Sequence, residues 1–470
     1  MTTKPKIGFL PVAKKSEDTS DVRQFVEYIK KYYGNDKSID LRIPEDILFD
    51  EDKILEAAWE MEKDEVDLIV FAVGSWIYSS HVIAPANDLN TPFILYGLSD
   101  KMGNGNLGAS LQIKYVLEEM GIDFKYLCGK IDDKESHAKI GKYLTAAWTR
   151  NNMRNRKIGI IGGKCMMMYQ TQVNEFDWKK VFGVDFPQYD TTQVFTEMKN
   201  IDDGKAKSVA DDFLSRFDKV NWELENGDKF DYQAVLFQAR MFLAFKRMKE
   251  LYGIDIFANK CMPEMTNKTF GHSCAACLAT CMLNEDGITT ACEADVPAGL
   301  SMYILNLISK DKVFFADIAK LDKQKNLISF FNCGTAPISM ADKKRGTSLW
   351  PIPSPIADVA VPYEYYTGKM EGACLSFELE NDRTVTMLRV GGNGDTLRFH
   401  VCRCTTADRD VREGEVYGIK WPGFGVVIEN GTQKFLDNAT GHHYSIVYGD
   451  WVEELEYLSK ILGIGFVFDK

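Results

Sequence analysis

The stretch TTACEADVPAGLSMYILNLIS, residues 289–309, followed by VFFADIA at 313–319, carries the clearest fold signal in the chain. A short apolar run ends on an acid. Proline then falls in a helix's first turn, and PAGLSMYILNLIS continues at helical spacing. A second apolar run again ends on an acid. Strand, helix, strand is the repeating unit of a parallel sheet covered by helices. Glu293 and Asp317 thus stand where buried strands end, and an uncompensated buried carboxylate is costly. Two such acids on neighbouring strands point to a shared cation or a shared proton.

The same alternation extends towards the N-terminus. KIGFLPVA, VDLIVFAVG, PFILYG and FKYLCGKI read as strands, with SDVRQFVEYIKKYY and EDKILEAAWEMEKD as amphipathic helices between them. The basic segment TAAWTRNNMRNR marks a boundary, after which KIGIIGG opens a second α/β unit. Its long helix, FDYQAVLFQARMFLAFKRMKELYG, is closed by Gly253, and IDIFANKC, VFFADIA and NLISFFNCG are further strands. Past the proline-rich WPIPSPIADVAVP the chain breaks into short runs, ACLSFELE, TVTMLRV, TLRFHVCRC and FGVVIEN, split by turn residues. This predicts an antiparallel β domain, with HHYSIVYGDWVEELEYLSKILG returning to a helix. The expected domains are 1–153 and 154–345, both α/β and the second carrying Glu293 and Asp317, then 346–470, which carries His443.

At 470 residues, 45% hydrophobic and 26% charged, the composition is that of a globular protein of several domains. A net charge of −12 argues against nucleic acid or an anionic membrane as partner. No apolar run is long enough to span a bilayer, and the one in MTTKPKIGFLPVAKK is too short for a signal peptide. Eleven cysteines, an odd number set mostly in apolar segments, fit free thiols in a reducing cytoplasm.

Several motifs admit two readings. Gly103-Asn-Gly105-Asn-Leu-Gly108, with Asp132 or Asp133 downstream, suggests a dinucleotide loop, but it starts too far past its strand and reads better as a Gly/Asn loop. Cys274, Cys277 and Cys281 have the spacing of one helix face and read as core rather than a zinc or iron–sulfur site. Met166-Met167-Met168 lies at the C-terminal end of strand KIGIIGG, where α/β folds place ligands, so it is either loose core or a ligand wall. Trp76 leaves strand VDLIVFAVG in the same way and either caps the sheet or meets a ligand. His442 and His443 are two of only six histidines. A histidine with two carboxylates suits Mn²⁺ or a similar divalent ion; ionic core groups with structural partners are the alternative.

The block ACEADVPAGLSMYILNLIS…VFFADIA, together with HHYSIVYGDW, resembles the L-fucose isomerase and L-arabinose isomerase superfamily of aldose–ketose isomerases. The likeness covers nearly the whole chain. It implies two Rossmann-like parallel-sheet domains followed by a C-terminal β domain, assembled as a homohexamer or homotrimer. It implies a metal held by Glu293, Asp317 and His443, with His443 opening a helix. Glu293 and Asp317 would also be the catalytic pair, interconverting an aldose and a ketose through a cis-enediolate. IGGKCMMMY resembles the family's substrate loop, which puts Lys164, Cys165 and Met166 against the sugar; VGSWIYSS and KWPGFG add Trp76 and Trp421, and His442 lies beside the metal. Lys164 stands where many relatives have arginine, Cys165 where they have serine, and Asn332 where a histidine is common. The expected substrate is a fucose- or arabinose-type sugar or a modified hexose, and Lys164 in place of arginine is what would suit a charged or modified one. The rival expectation is a non-catalytic sugar-binding or regulatory protein on the same fold.

Overall fold

The computed structural model describes residues 4–99, 105–225, 227–262, 264–265, 275–352, 372–409 and 421–470. By packing, the chain divides into two units: 1–152 with 453–463, and 153–452 with 464–470.

In the first unit, β1 (Lys6–Val12), β2 (Asp40–Arg42), β3 (Leu68–Val73), β4 (Phe93–Leu98) and β5 (Lys125–Gly129) form a parallel sheet in the order β2-β1-β3-β4-β5. The central strands read as unbroken apolar runs because helices cover both faces; every residue of LIVFAV and FILYGL is buried. The helix Ser20–Tyr32 buries Val22, Phe25 and Ile29, which recur at helical spacing, and leaves its lysines outside. Residues 453–463, most of the helix Val452–Ile461, also pack in this unit.

The second unit holds the other parallel sheet: β6 (Ile158–Ile161), β7 (Gln188–Tyr189), β9 (Ile256–Asn259) and β10 (Thr290–Cys292), in the order β10-β9-β6-β7. The loops that leave β6, β9 and β10 begin at Gly162, Lys260 and Glu293, so all three open at the sheet's C-terminal edge. Ligands sit at that edge in open α/β sheets. The helix Val296–Ser309, expected from PAGLSMYILNLIS, is buried on nearly every side and packs between this sheet and the next.

That next sheet is antiparallel and closed. β11 (Phe314–Asp322), β12 (Leu327–Phe331), β15 (Thr384–Gly391), β16 (Arg398–Ala407), β17 (Gly423–Val427) and β18 (His443–Tyr448) pair in the order β15-β18-β11-β12-β17-β16, and β16 returns to β15. β19 (Gly465–Asp469) adds alongside β16 in parallel. A small sheet joins β8 (Lys219–Val220), β13 (Ser348–Pro351) and β14 (Ala373–Ser376).

Three details differ from the sequence reading. VFFADIA and NLISFF are strands, but as β11 and β12 they belong to the antiparallel sheet rather than to the parallel one. His443 opens a strand, not a helix. HYSIVY alternates across two faces and is wholly buried up to Tyr448, which favours pairing with β11 and β15; the helix waits until Val452. The chain then adds a strand, β19, that was not foreseen. Among the described residues, no helix is long and apolar enough to cross a membrane.

Candidate metal centre and active site

Three chain segments, each shaped by its own local physics, meet at one point. The first is the turn after β10. Glu293 and Ala294 both take left-handed backbone angles, φ +57° and +50°. Such a pair is strained by about 1–3 kcal/mol per residue, a feature that concentrates at functional sites. The turn is closed by Ala294 N donating to Asn259 O and Asp295 N donating to Cys292 O, both at 3.1 Å. Asp295 then caps the helix Val296–Ser309, accepting from Ala298 N at 2.8 Å.

The second and third segments are β11 and β18. Their antiparallel register sets Asp317 directly opposite His443. Side chains so paired lie within about 5 Å of each other, which brings the two potential ligands together. His443 is fully buried, while the Glu293 and Asp317 side chains are 15% and 18% exposed. The ligand atoms of Glu293, Asp317, His442 and His443 all fall within 4.8 Å of one another.

The donor chemistry of this cluster fits a divalent cation. His443 Nδ1 donates to Asp295 Oδ2 at 2.7 Å, which leaves its other nitrogen, Nε2, facing the acids. Nε2 lies 3.1 Å from Glu293 Oε2 and 3.1 Å from Asp317 Oδ1. Yet neither Nε2 nor Glu293 Oε2 makes an aligned hydrogen bond, although both are buried. A nitrogen and two carboxylate oxygens converging without hydrogen-bond geometry form an N,O,O set that could hold a metal ion. The electrostatics agree. Burial alone would discourage a charged His443 imidazole, but Asp317, Asp295 and Glu293 outweigh it and hold its pKa well above the ordinary range. The pocket demands positive charge, and a cation satisfies that demand as a proton does.

Around these groups lies a hydrogen-bonded shell that fixes their orientation. Arg389, 1% exposed, donates from Nη1 to Asp295 Oδ2 at 2.7 Å and from Nη2 to the carbonyl of Gln170 at 3.0 Å. Burial raises the Asp295 carboxyl, but Arg389 and then His443 bring its pKa down to about 2. Gln170 Nε2 donates to His442 Nδ1 at 3.0 Å. Burial, then the neighbouring charge of His443, lowers the His442 pKa to about 4. His442 is therefore a neutral imidazole at pH 7, with its proton on Nε2. Asn332 Nδ2 donates to Asp317 Oδ2 at 2.9 Å, while its Oδ1 accepts from Gly334 N, Thr335 N and Thr335 Oγ1. With both ends committed, Asn332 steers Asp317 and is not itself a ligand.

Among the other residues singled out from sequence, Lys164, Cys165 and Met166 lie in the loop after β6. The Cys165 thiol bonds the Met262 carbonyl at 3.8 Å. Its pKa is pushed up by burial first, then by Cys261 and by the charge of Glu293. Trp421 stacks on Phe331, ring centroids 5.2 Å apart, and Asn332 N donates to the carbonyl of the next residue, Pro422. Trp76 belongs to the first unit and is 40% exposed. In the glycine loop, Gly103 and Asn104 lie outside the described residues, and Asp133 is engaged by Ser136 Oγ and Glu135 N as a helix-start cap. Cys274 also lies outside the described residues, and Cys277 and Cys281 are buried in core as expected.

Sequence reasoning missed Asp295, Arg389 and Gln170 and gave Asn332 no role. Two of these left a trace. Asp295 precedes a proline-led helix, an N-cap signature, and Arg389 is a lone cation within the apolar run TVTMLRV, where a buried charge requires a partner.

No family model matches this chain. Over almost its whole length it is nonetheless similar to proteins named sulfoquinovose isomerase. The protein from Priestia megaterium is 19% identical over 97% of both chains, and that from Alkalicoccus urumqiensis 21% identical over 98% of both. A third, from a Clostridium species, is 23% identical over 79% of both. The expectation of an enzyme that isomerises a sugar agrees with the names these relatives carry.

Proposed function

We propose that this protein is a metal-dependent aldose–ketose isomerase acting on a sulfonated hexose of the sulfoquinovose type, a glucose with sulfonate in place of the 6-hydroxyl. The observation that carries the reading is the convergence of Glu293 Oε2, Asp317 Oδ1 and His443 Nε2 without hydrogen-bond alignment. The relatives supply the substrate class.

Glu293, Asp317 and His443 would hold the ion, and Mn²⁺ bound there supplies Lewis acidity that stabilises negative charge on the sugar oxygens. Glu293 and Asp317 are the groups able to move the proton. One accepts it from C2 as the C1–C2 double bond of a cis-enediolate forms; returning it to C1, with the 2-hydroxyl proton passing to O1 as C2 becomes the carbonyl, leaves the ketose. Asn332 keeps Asp317 from rotating during the transfer, and the Asp295–Arg389 pair does the same for His443. His442 offers a neutral N–H to a substrate oxygen, a donor that adds no charge next to the metal. Lys164, Cys165, Met166 and Trp421 are proposed to contact the sugar, and Trp76 is a further candidate. Assembly as a homohexamer or homotrimer and a cytoplasmic location belong to the same proposal.

The test is a panel of aldoses and ketoses, sulfoquinovose included, incubated with Mn²⁺-loaded protein in D₂O and followed by NMR. Deuterium entering C1 or C2 with ketose formation is the expected result. Sugar binding with no exchange at either carbon would instead favour a non-catalytic binder.

A further inference from the structure

The loop that leaves β6 is built for more than closing a turn. Gly162 and Gly163 take φ of +79° and +75°, and Met166 and Met167 follow at +43° and +55°. Methionine rarely adopts that region, so the loop holds two side chains in strain. A turn that mixes right- and left-handed residues can gather successive backbone N–H groups into an anion-binding concavity.

Here the donors are free. Gly162 N is taken by Tyr189 O, and Met168 N by Cys165 O. Between them, the N–H groups of Gly163, Lys164, Cys165, Met166 and Met167 make no hydrogen bond among the described residues. Cys165 is only 1% exposed, so water does not readily substitute for its missing acceptor. Lys164 is half-buried, its ammonium rests 3.9 Å from the centre of the Tyr169 ring, and among the described residues no carboxylate pairs with it. The loop is also pinned to the metal site: Arg389 holds the Gln170 carbonyl and Gln170 holds His442. A cation and a run of donors therefore lie on the loop that runs into Gln170 and the metal site, in a chain whose net charge of −12 would otherwise oppose an anionic sugar.

We propose that residues 162–168 form an anion cradle that grips the sulfonate of the substrate, with Lys164 as the charge and the free N–H groups of residues 163–167 as donors. The identity of the anion rests on the isomerase reading above. A sulfonate stays ionised at any physiological pH and presents three oxygens, which suits several single donors and a point charge. Lysine's three rotatable donors match that geometry better than the planar fork of arginine. Phosphate shares this chemistry, so the test includes it.

Wild type, Lys164→Met and Lys164→Arg are compared on sulfoquinovose, 6-deoxyglucose and glucose 6-phosphate, with Mn²⁺ affinity measured by calorimetry alongside. The ratio of kcat/KM for sulfoquinovose to that for 6-deoxyglucose should fall at least about tenfold in Lys164→Met, mainly through KM, and recover in part in Lys164→Arg. Mn²⁺ affinity should not move. An unchanged ratio overturns the cradle, and a wild type that prefers glucose 6-phosphate overturns its assignment to sulfonate. Should the wild type convert no sugar, the isomerase reading fails by itself. Calorimetry with sulfoquinovose then decides: binding that Lys164→Met abolishes supports the cradle, and equal or absent binding overturns it.

Discussion

Asp295→Asn separates the architecture of the site from its chemistry. The carboxylate is not one of the proposed metal ligands or sugar contacts, yet it accepts from Arg389, His443 and Ala298 at 2.7, 2.7 and 2.8 Å. Asparagine preserves the volume and removes the charge. Arg389, 1% exposed, then lies buried without a counter-ion; breaking a buried pair in this way costs about 3–5 kcal/mol. The His443 ring also loses a charged acceptor at Nδ1, and weakening such a support lowers metal affinity roughly 10- to 100-fold. Urea unfolding in chelator reads the first effect, and calorimetric Mn²⁺ titration of the folded variant reads the second. Adding Arg389→Met removes the stranded cation as well, so the double variant should regain most of the stability but not the metal affinity. If Asp295→Asn unfolds within about 0.5 kcal/mol of wild type, a shift typical of surface changes, and binds Mn²⁺ equally well, the supporting role assigned to this pair is wrong.

Three further outcomes follow from the same geometry. Saturating Mn²⁺ should raise the thermal midpoint of chelator-treated protein by the equivalent of about 2.7 kcal/mol at a hundredfold excess over Kd; Glu293→Gln and Asp317→Asn should lose that rise along with turnover. Asn332→Ala frees Asp317 and strands the Gly334 and Thr335 amides, for an expected loss of about 3 kcal/mol in urea unfolding and weaker Mn²⁺ binding. His400 is fully buried between Tyr444 and Asp469, accepting at Nδ1 from the tyrosine hydroxyl at 2.6 Å and donating from Nε2 to the carboxylate at 2.9 Å. Burial pushes its pKa below the usual 6.5, with Asp469 only partly opposing. The unfolded chain thus takes up the proton first, and stability that is complete above pH 6.5 declines as pH falls below it. Thermal melts between pH 7.5 and 5 should show a shallower decline in His400→Gln than in wild type.

How much of this was legible in the sequence depends on whether the signal is local. The parallel strands announce themselves because LIVFAV and FILYGL are buried on both faces and so lack any alternation. The helix after Glu293 is equally plain, with Asp295 and Pro297 as punctuation. What the sequence hides is pairing. That β11 leaves the parallel layer to lie beside β18 depends on a register between residues more than a hundred positions apart, and no local pattern encodes it. The apolar run at β18 therefore reads, in sequence, as part of the helix that follows it. The site repeats the lesson. Glu293, Asp317 and His443, which the structure brings together, can be singled out because acids at strand ends and scarce histidines stand out, and because the blocks around them resemble a known family. Arg389 and Gln170 act only through contacts that close on folding, and the Gln170 carbonyl, a backbone group, leaves no trace in residue type.

The central claim is that one divalent ion is held by Glu293, Asp317 and His443. Titration of chelator-treated protein with Mn²⁺, with free ion counted by electron paramagnetic resonance, tests it directly. One tight site per chain in wild type, missing in Asp317→Asn and in His443→Ala, is the predicted result; a wild type that binds no ion, or variants that bind it as tightly, would contradict the account.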